Sequence, residues 1–308
     1  MTEFETIVIG KSSIPSLIIT AVLMITIPVI FFICWRRKYK QRTNISYLIA
    51  GAIGFIVSAR VLELGAHYVF IIADNPVSQF INGNTVAFVL YGTLMAGVFE
   101  ECGRYIVLKY IMKKNRTREN AVLYGIGHGG IEILAVILPA MITYLAVAVM
   151  FSRGSVEGAL SALKITKDTA AAALPTVQAA AAFNYGMMAM NVLERLFAML
   201  LHIGLTVIVF FGVKNAKKGY LPLAILLHML MDTFPALYQR GVVPLWTVEI
   251  WAAVWTGVIA YIAVRLYRNI PEWGMIWDSF RSRTSILRMF GSGFLIYGSS
   301  QNRSTALE

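Results

Sequence analysis

Residues 15–35 read PSLIITAVLMITIPVIFFICW and run straight into Arg36, Arg37 and Lys38. Twenty-one uncharged residues, at about 1.5 Å each as a helix, match a bilayer core of about 30 Å. The pattern recurs along the chain: apolar runs occupy Ile45–Phe70, Thr85–Met112, Ala121–Phe151, Leu193–Val213, Tyr220–Tyr238 and Leu245–Leu266. Over all 308 residues, 58% are hydrophobic and 14% charged, with a mean hydropathy of +0.68. A soluble domain carries about 25% charged residues, so a soluble enzyme is excluded. Period-two alternation is absent, which excludes an outer-membrane barrel. The expected fold is all-α, a polytopic membrane bundle of about seven transmembrane helices. Residues 1–270 form its membrane domain. Residues 271–308 form an amphipathic cytosolic tail, where Trp273, Trp277, Phe280 and Phe290 alternate with Arg281, Arg283 and Arg288 in a manner suited to an anionic leaflet.

The net charge of +11 resembles a nucleic-acid footprint, but its distribution has another cause. Nineteen of the 27 Lys and Arg fall in or beside the connections on one side of the runs, five on the other, and Arg60, Arg104 and Arg195 lie deeper. Positive residues stay cytosolic, so the N-terminus is expected outside and the C-terminus in the cytosol, in a bacterial plasma membrane. No nucleic-acid partner is required. Cys34 and Cys102 both sit in apolar runs and form no disulfide framework. The start, with Glu3 and Glu5, lacks a basic signal-peptide region, so the first run reads as a permanent anchor. The Ala-rich connection over 152–192 reads as a helical hairpin on the outer surface, or as a lid over a site.

Ionisable groups within a membrane are costly and usually functional. Counted from the nearest cytosolic residue at about 1.5 Å per residue, Glu100 and Glu101 lie about 18–20 Å deep, His128 about 14 Å and Glu132 about 20 Å. His202 lies about 18 Å deep, and His228 and Asp232 about 15 and 21 Å. Four runs therefore bring polar groups to one layer. Glu63, His67, Glu194 and Arg195 fall nearer the outer face as a separate set. Residues four apart share a helix face, which pairs His128 with Glu132, His228 with Asp232, and Glu100 with Arg104. Adjacent Glu100 and Glu101 point about 100° apart, so one is free for chemistry while the other pairs with Arg104 or a histidine. Gly125, Gly127, Gly129 and Gly130 around His128 let a neighbouring backbone approach.

Such a layer suits two chemistries. Histidines and carboxylates can hold Zn²⁺ with an open position. Alternatively, a desolvated carboxylate can act as general base on water while histidines stabilise an oxyanion. Both hydrolyse a bond presented at membrane depth. A proton- or cation-coupled transporter or channel could use the same layer as a relay, though no inverted repeat is visible. Pro139 and Pro235 would mark its broken helices. A catalytically silent scaffold is the third reading.

Glu100-Glu101-x-x-Arg104, Tyr124-Gly-x-Gly-His128-Gly-Gly-x-Glu132, His202 and His228-x-x-x-Asp232 together resemble the YhfC family of intramembrane proteases, which is related to the PrsW-like and CAAX prenyl proteases. CAAX proteases typically carry Glu-Glu-x-x-x-Arg and His-x-x-x-Asn, whereas here the Arg is one residue closer and Asp232 replaces Asn. PrsW-like proteins typically have Lys at the Arg104 position but share the closing His-x-x-x-Asp. The resemblance implies that Glu100 or Glu101 activates water, that His202 and His228 assist or bind metal, and that His128 with Glu132 completes the pocket. Asp232 would orient His228. A bound Zn²⁺ would draw its ligands from His128, His202, His228 and Glu132. The implied partner is a membrane protein or lipid-anchored peptide that serves as substrate within the bilayer.

Overall fold

Seven long apolar helices run through the computed structural model, which describes residues 2–270. They are Ser13–Lys38, Ser46–Ile72, Thr85–Ile111, Arg118–Arg153, Tyr185–Lys214, Tyr220–Gln239 and Leu245–Arg268, here the first to seventh spans. Among the described residues there is no strand. The expected amphipathic tail over 271–308 lies outside the described residues.

The fifth span is the most buried of the seven and is the post around which the others stand. It packs against the first, fourth, sixth and seventh spans and more lightly against the third, while the second packs on the fourth. Two apolar cores flank the polar layer. One gathers Tyr47, Leu108, Tyr124, Leu205, Ile208 and Phe210. The other gathers Phe4, Leu17, Met24, Met141, Val177 and Phe183.

The basic connections do meet at one end. Asn44 N–H donates to Asn120 Oδ1 at 2.8 Å, Tyr47 Oη to the Lys114 carbonyl at 2.7 Å, and Lys214 Nζ to the Arg116 carbonyl at 3.0 Å. At the opposite end Gly10 N–H donates to the Ala181 carbonyl at 3.0 Å and Arg240 Nη2 to the Asn82 carbonyl at 2.9 Å.

Close backbone approach sets the second and fifth spans beside the fourth. A Cβ on Gly127 would collide with the Leu48 carbonyl of the second span. One on Gly125 would come within 2.6 Å of Ile203 Cα on the fifth. His128 is thereby clamped between its neighbours, with the Phe55 ring in T-shaped contact with its own at a centroid distance of 5.2 Å.

Two expectations need correction. The fifth span begins at Tyr185 rather than Leu193, because Asn184 caps it by accepting from Met187 N–H at 3.1 Å. Neither proline breaks its helix. The fourth span instead continues through a π-helical turn over Ile133–Ile137, just ahead of Pro139. The 152–192 connection does form helices, Val156–Ala162 and Lys167–Ala182, but they dock on the N-terminal segment and the first and fourth spans. Val177, Ala180 and Phe183 are buried there, and Ser13 Oγ donates to the Ala180 carbonyl at 2.6 Å.

Candidate functional site

The members of the polar layer come from four of the seven spans. Glu100, Glu101 and Arg104 sit on the third, and His128 and Glu132 on the fourth. His202 sits on the fifth, and His228 and Asp232 on the sixth. The structure brings all eight together. The ring centroids of His128 and His202 are 4.9 Å apart, and those of His202 and His228 are 5.8 Å apart.

The two adjacent glutamates divide as their 100° offset requires. Glu101 is fully buried and bonded to Arg104 and, at 2.8 Å, to His228 Nδ1. Glu100 faces the other way, onto a cavity of about 110 Å³, and its Oε2 lies 2.9 Å from His128 Nε2 and 3.8 Å from His202 Nδ1. The expected Glu100–Arg104 pair is therefore replaced by Glu101–Arg104, three residues apart. The tie between His228 and Glu101 leaves Glu100 on the cavity wall.

Arg104 also determines a tautomer. Its Nη2 lies 3.2 Å from His202 Nδ1, and a guanidinium only donates, so that nitrogen accepts. The His202 proton then sits on Nε2 and is donated to Glu132 Oε2 at 2.6 Å. Glu132 is held in turn by Arg195 Nη1 at 3.1 Å, and Arg195 also pairs with Glu194. Arg195 and Glu194 thus join the layer from which depth counting separated them. The signal was present in the sequence: Arg195 is seven residues from His202, two helical turns, and so shares its face. Glu63 and His67 remain apart, 3.3 Å from each other, with His67 Nδ1 3.0 Å from Tyr91 Oη.

His228 is oriented mainly from the Glu101 side. Asp232, expected to orient it, lies at 3.4 Å from Nε2, across the cavity-facing edge of the ring. The dyad of buried carboxylate and imidazole, with the second ring nitrogen turned to an open space, is the arrangement that lets a histidine exchange protons.

Glu100, His128 and His202 present donor atoms that all lie within 4.8 Å of one another, and all three are buried. A carboxylate and two imidazoles form a donor set suited to catalytic zinc. Glu132 behind His202 is the carboxylate that commonly supports a ligating histidine. The residues present therefore fit a metal, with two changes from the expected set. Glu132 contacts the far nitrogen of His202, and His228 is engaged by Glu101 and Asp232, so neither belongs to the cluster. His128 Nδ1, buried and without a hydrogen-bond partner among the described residues, lacks the supporting acceptor that His202 has.

The family model described as YhfC intramembrane metalloprotease matches residues 23–252. A Bacillus subtilis (strain 168) protein described as "Uncharacterized membrane protein YhfC" is 30% identical over 236 residues. That alignment covers 76% of this chain and 88% of the relative. No solved structure matches the chain.

Proposed function

The chain belongs to the YhfC family, and from that premise we propose that it is an endopeptidase of the bacterial plasma membrane. It hydrolyses a peptide bond of a membrane-embedded or lipid-anchored substrate, with its basic end in the cytosol. The observation that carries the reading is the convergence of Glu100, His128 and His202, of which Glu100 and His202 line a cavity together with His228 and Asp232. Polar groups in a bilayer core are expensive, and a closed structural network would have no use for a cavity among them.

In the metal-dependent form, Glu100, His128 and His202 would hold Zn²⁺. Bound there, the ion would supply Lewis-acid polarisation of a water and of the scissile carbonyl. Glu132 fixes the ring orientation of His202, and Arg195 holds Glu132. His228, fixed through Nδ1 by Glu101, turns Nε2 toward Asp232 and the cavity. That pair accepts a proton from the attacking water and returns one to the leaving amine, the general acid–base role of an oriented imidazole.

A specific contact favours a second form, in which Glu100 alone is the general base. Arg104 occupies the His202 nitrogen nearest Glu100, which a metal would need. The two forms separate cleanly. Protein purified without chelator is assayed for bound metal and for cleavage of a co-expressed single-span substrate, before and after chelation. Stoichiometric zinc, with activity lost on chelation and restored by Zn²⁺, supports the first form. Full activity without metal supports the second. The transporter reading would require ion flux in liposomes that Glu100→Gln alters. The unbroken fourth and sixth spans among the described residues lack the discontinuous helices that transporters use for such sites.

A further inference from the structure

The polar layer is sealed on one side and open on the other. Toward the basic end, each span follows its site residue with fully buried side chains. These include Leu108 on the third span, Leu123 and Tyr124 on the fourth, Leu205 and Ile208 on the fifth, and Ala224 on the sixth. Water has no polar route through such packing. In the other direction, side-chain exposure rises from His128 through the cavity-lining groups, except at Arg195, which its two carboxylates hold at 10%. It is 0% at His128, 4% at His202 and His228, 10% at Glu100, 20% at Glu132, 32% at Asp232 and 34% at Glu194. The cavity wall follows the same course. Past the histidines it is built by Glu194, Arg195 and Ala198 of the fifth span, Asp232 and Pro235 of the sixth, and Val248 of the seventh. Val248 is three residues from the start of its span at Leu245, at the end remote from the basic connections.

We infer that water and substrate reach this site only from the end opposite the basic connections, through a mouth between the fifth, sixth and seventh spans. The substrate is a membrane-anchored peptide whose scissile bond lies at mid-bilayer or beyond it on that side. The 152–192 helices contribute no residue to the mouth, so they do not gate it. The substrate statement rests on the protease reading. The access statement does not.

The test uses the full-length protein in membrane vesicles, with Cys34 and Cys102 replaced by Ser and one new cysteine per variant. Ala198→Cys and Val248→Cys report on the cavity, and Leu205→Cys reports on the sealed side. Exposed Lys114→Cys and Lys164→Cys mark the basic and the opposite ends. A membrane-impermeant maleimide is applied to sealed vesicles of each orientation. Ala198→Cys and Val248→Cys are expected to label whenever Lys164→Cys does and to stay unlabelled when only Lys114→Cys is reached, with Leu205→Cys unlabelled throughout. Labelling of the cavity cysteines from the Lys114 side, from both sides or from neither overturns the inference. Two single-span reporters, with the cleavable segment on either side of mid-bilayer, then test the substrate statement, which predicts cleavage of the outer reporter alone. Cleavage of the inner one overturns that statement. If neither reporter is cut while the labelling pattern holds, the protease reading fails and the access inference stands.

Discussion

At the scale of single residues, the pairing pattern makes each carboxylate testable separately. Glu100 lines the cavity while Glu101 is committed to Arg104 and His228. Glu100→Gln is expected to lower cleavage by about 10²–10⁴, the usual contribution of a positioned acid or base, with a wild-type melting profile in detergent. Wild-type turnover by that variant would remove Glu100 from the chemistry. Arg195 acts through Glu132, so it is a positioning residue. Arg195→Ala leaves Glu132 without its cation; breaking a fully buried pair costs about 3–5 kcal/mol, and this part-buried one should cost less. Arg195→Lys keeps the charge and should recover most of the stability, while a kcat deficit persists because one ammonium cannot serve Glu132 and Glu194 in the same fork geometry. Equal melting temperatures for Ala and Lys would refute the pairing account.

At the scale of elements, the glycines of the fourth span are what let three helices meet at His128. Gly127→Ala puts a Cβ into the Leu48 backbone, which cannot rotate away as a side chain can. The second and fourth spans must then separate, at a cost of about 1–3 kcal/mol by analogy with overpacked cores. Thermal denaturation in detergent measures it. Gly83→Ala, where a Cβ would meet nothing within 4 Å, is the matched control and should melt like wild type. The docked 152–192 helices give the converse case. Val177→Asp places an unpaired charge in the core shared with the first and fourth spans and should lower the melting temperature by several degrees. Because the segment does not line the cavity, turnover per folded molecule should remain, and its loss would reinstate the lid reading.

At the scale of the whole molecule, the bundle is an asymmetric vessel, with a dry floor at the basic end and a polar layer at mid-depth. This shape reconciles two demands that conflict in a bilayer. Hydrolysis needs water, and the hydrocarbon core excludes it. A cavity of about 110 Å³ holds water but is well below the roughly 300–1,000 Å³ of pockets that enclose drug-sized ligands. A transmembrane helix therefore does not fit inside it, and under the proposed protease function a substrate would have to unwind locally to present its carbonyl. Substrates carrying Gly or Pro at the cleavage segment should be cut faster than an otherwise identical Leu- and Ala-rich helix. Quantifying cleaved and intact reporter on immunoblots checks this, and indifference to helix-breaking residues would argue against unwinding.

Much of this was legible without coordinates because the bilayer imposes one-dimensional rules. Length and apolarity mark a span, Lys and Arg mark an end, and a rise of about 1.5 Å per residue converts position into depth. Those rules sufficed for seven spans, for the gathering of basic connections, and for the layer of Glu100, Glu101, His128, Glu132, His202, His228 and Asp232. They are silent about rotation around the bundle axis and about which partner a charge selects. Tertiary packing alone decided that Arg104 takes Glu101 rather than Glu100, that Arg195 reaches across to Glu132, and that Glu100 joins His128 and His202 while Glu132 and His228 stand outside that cluster. Depth is a property of a residue and its own helix. Pairing depends on which faces of several helices meet, and here close contacts at Gly125 and Gly127 set those faces.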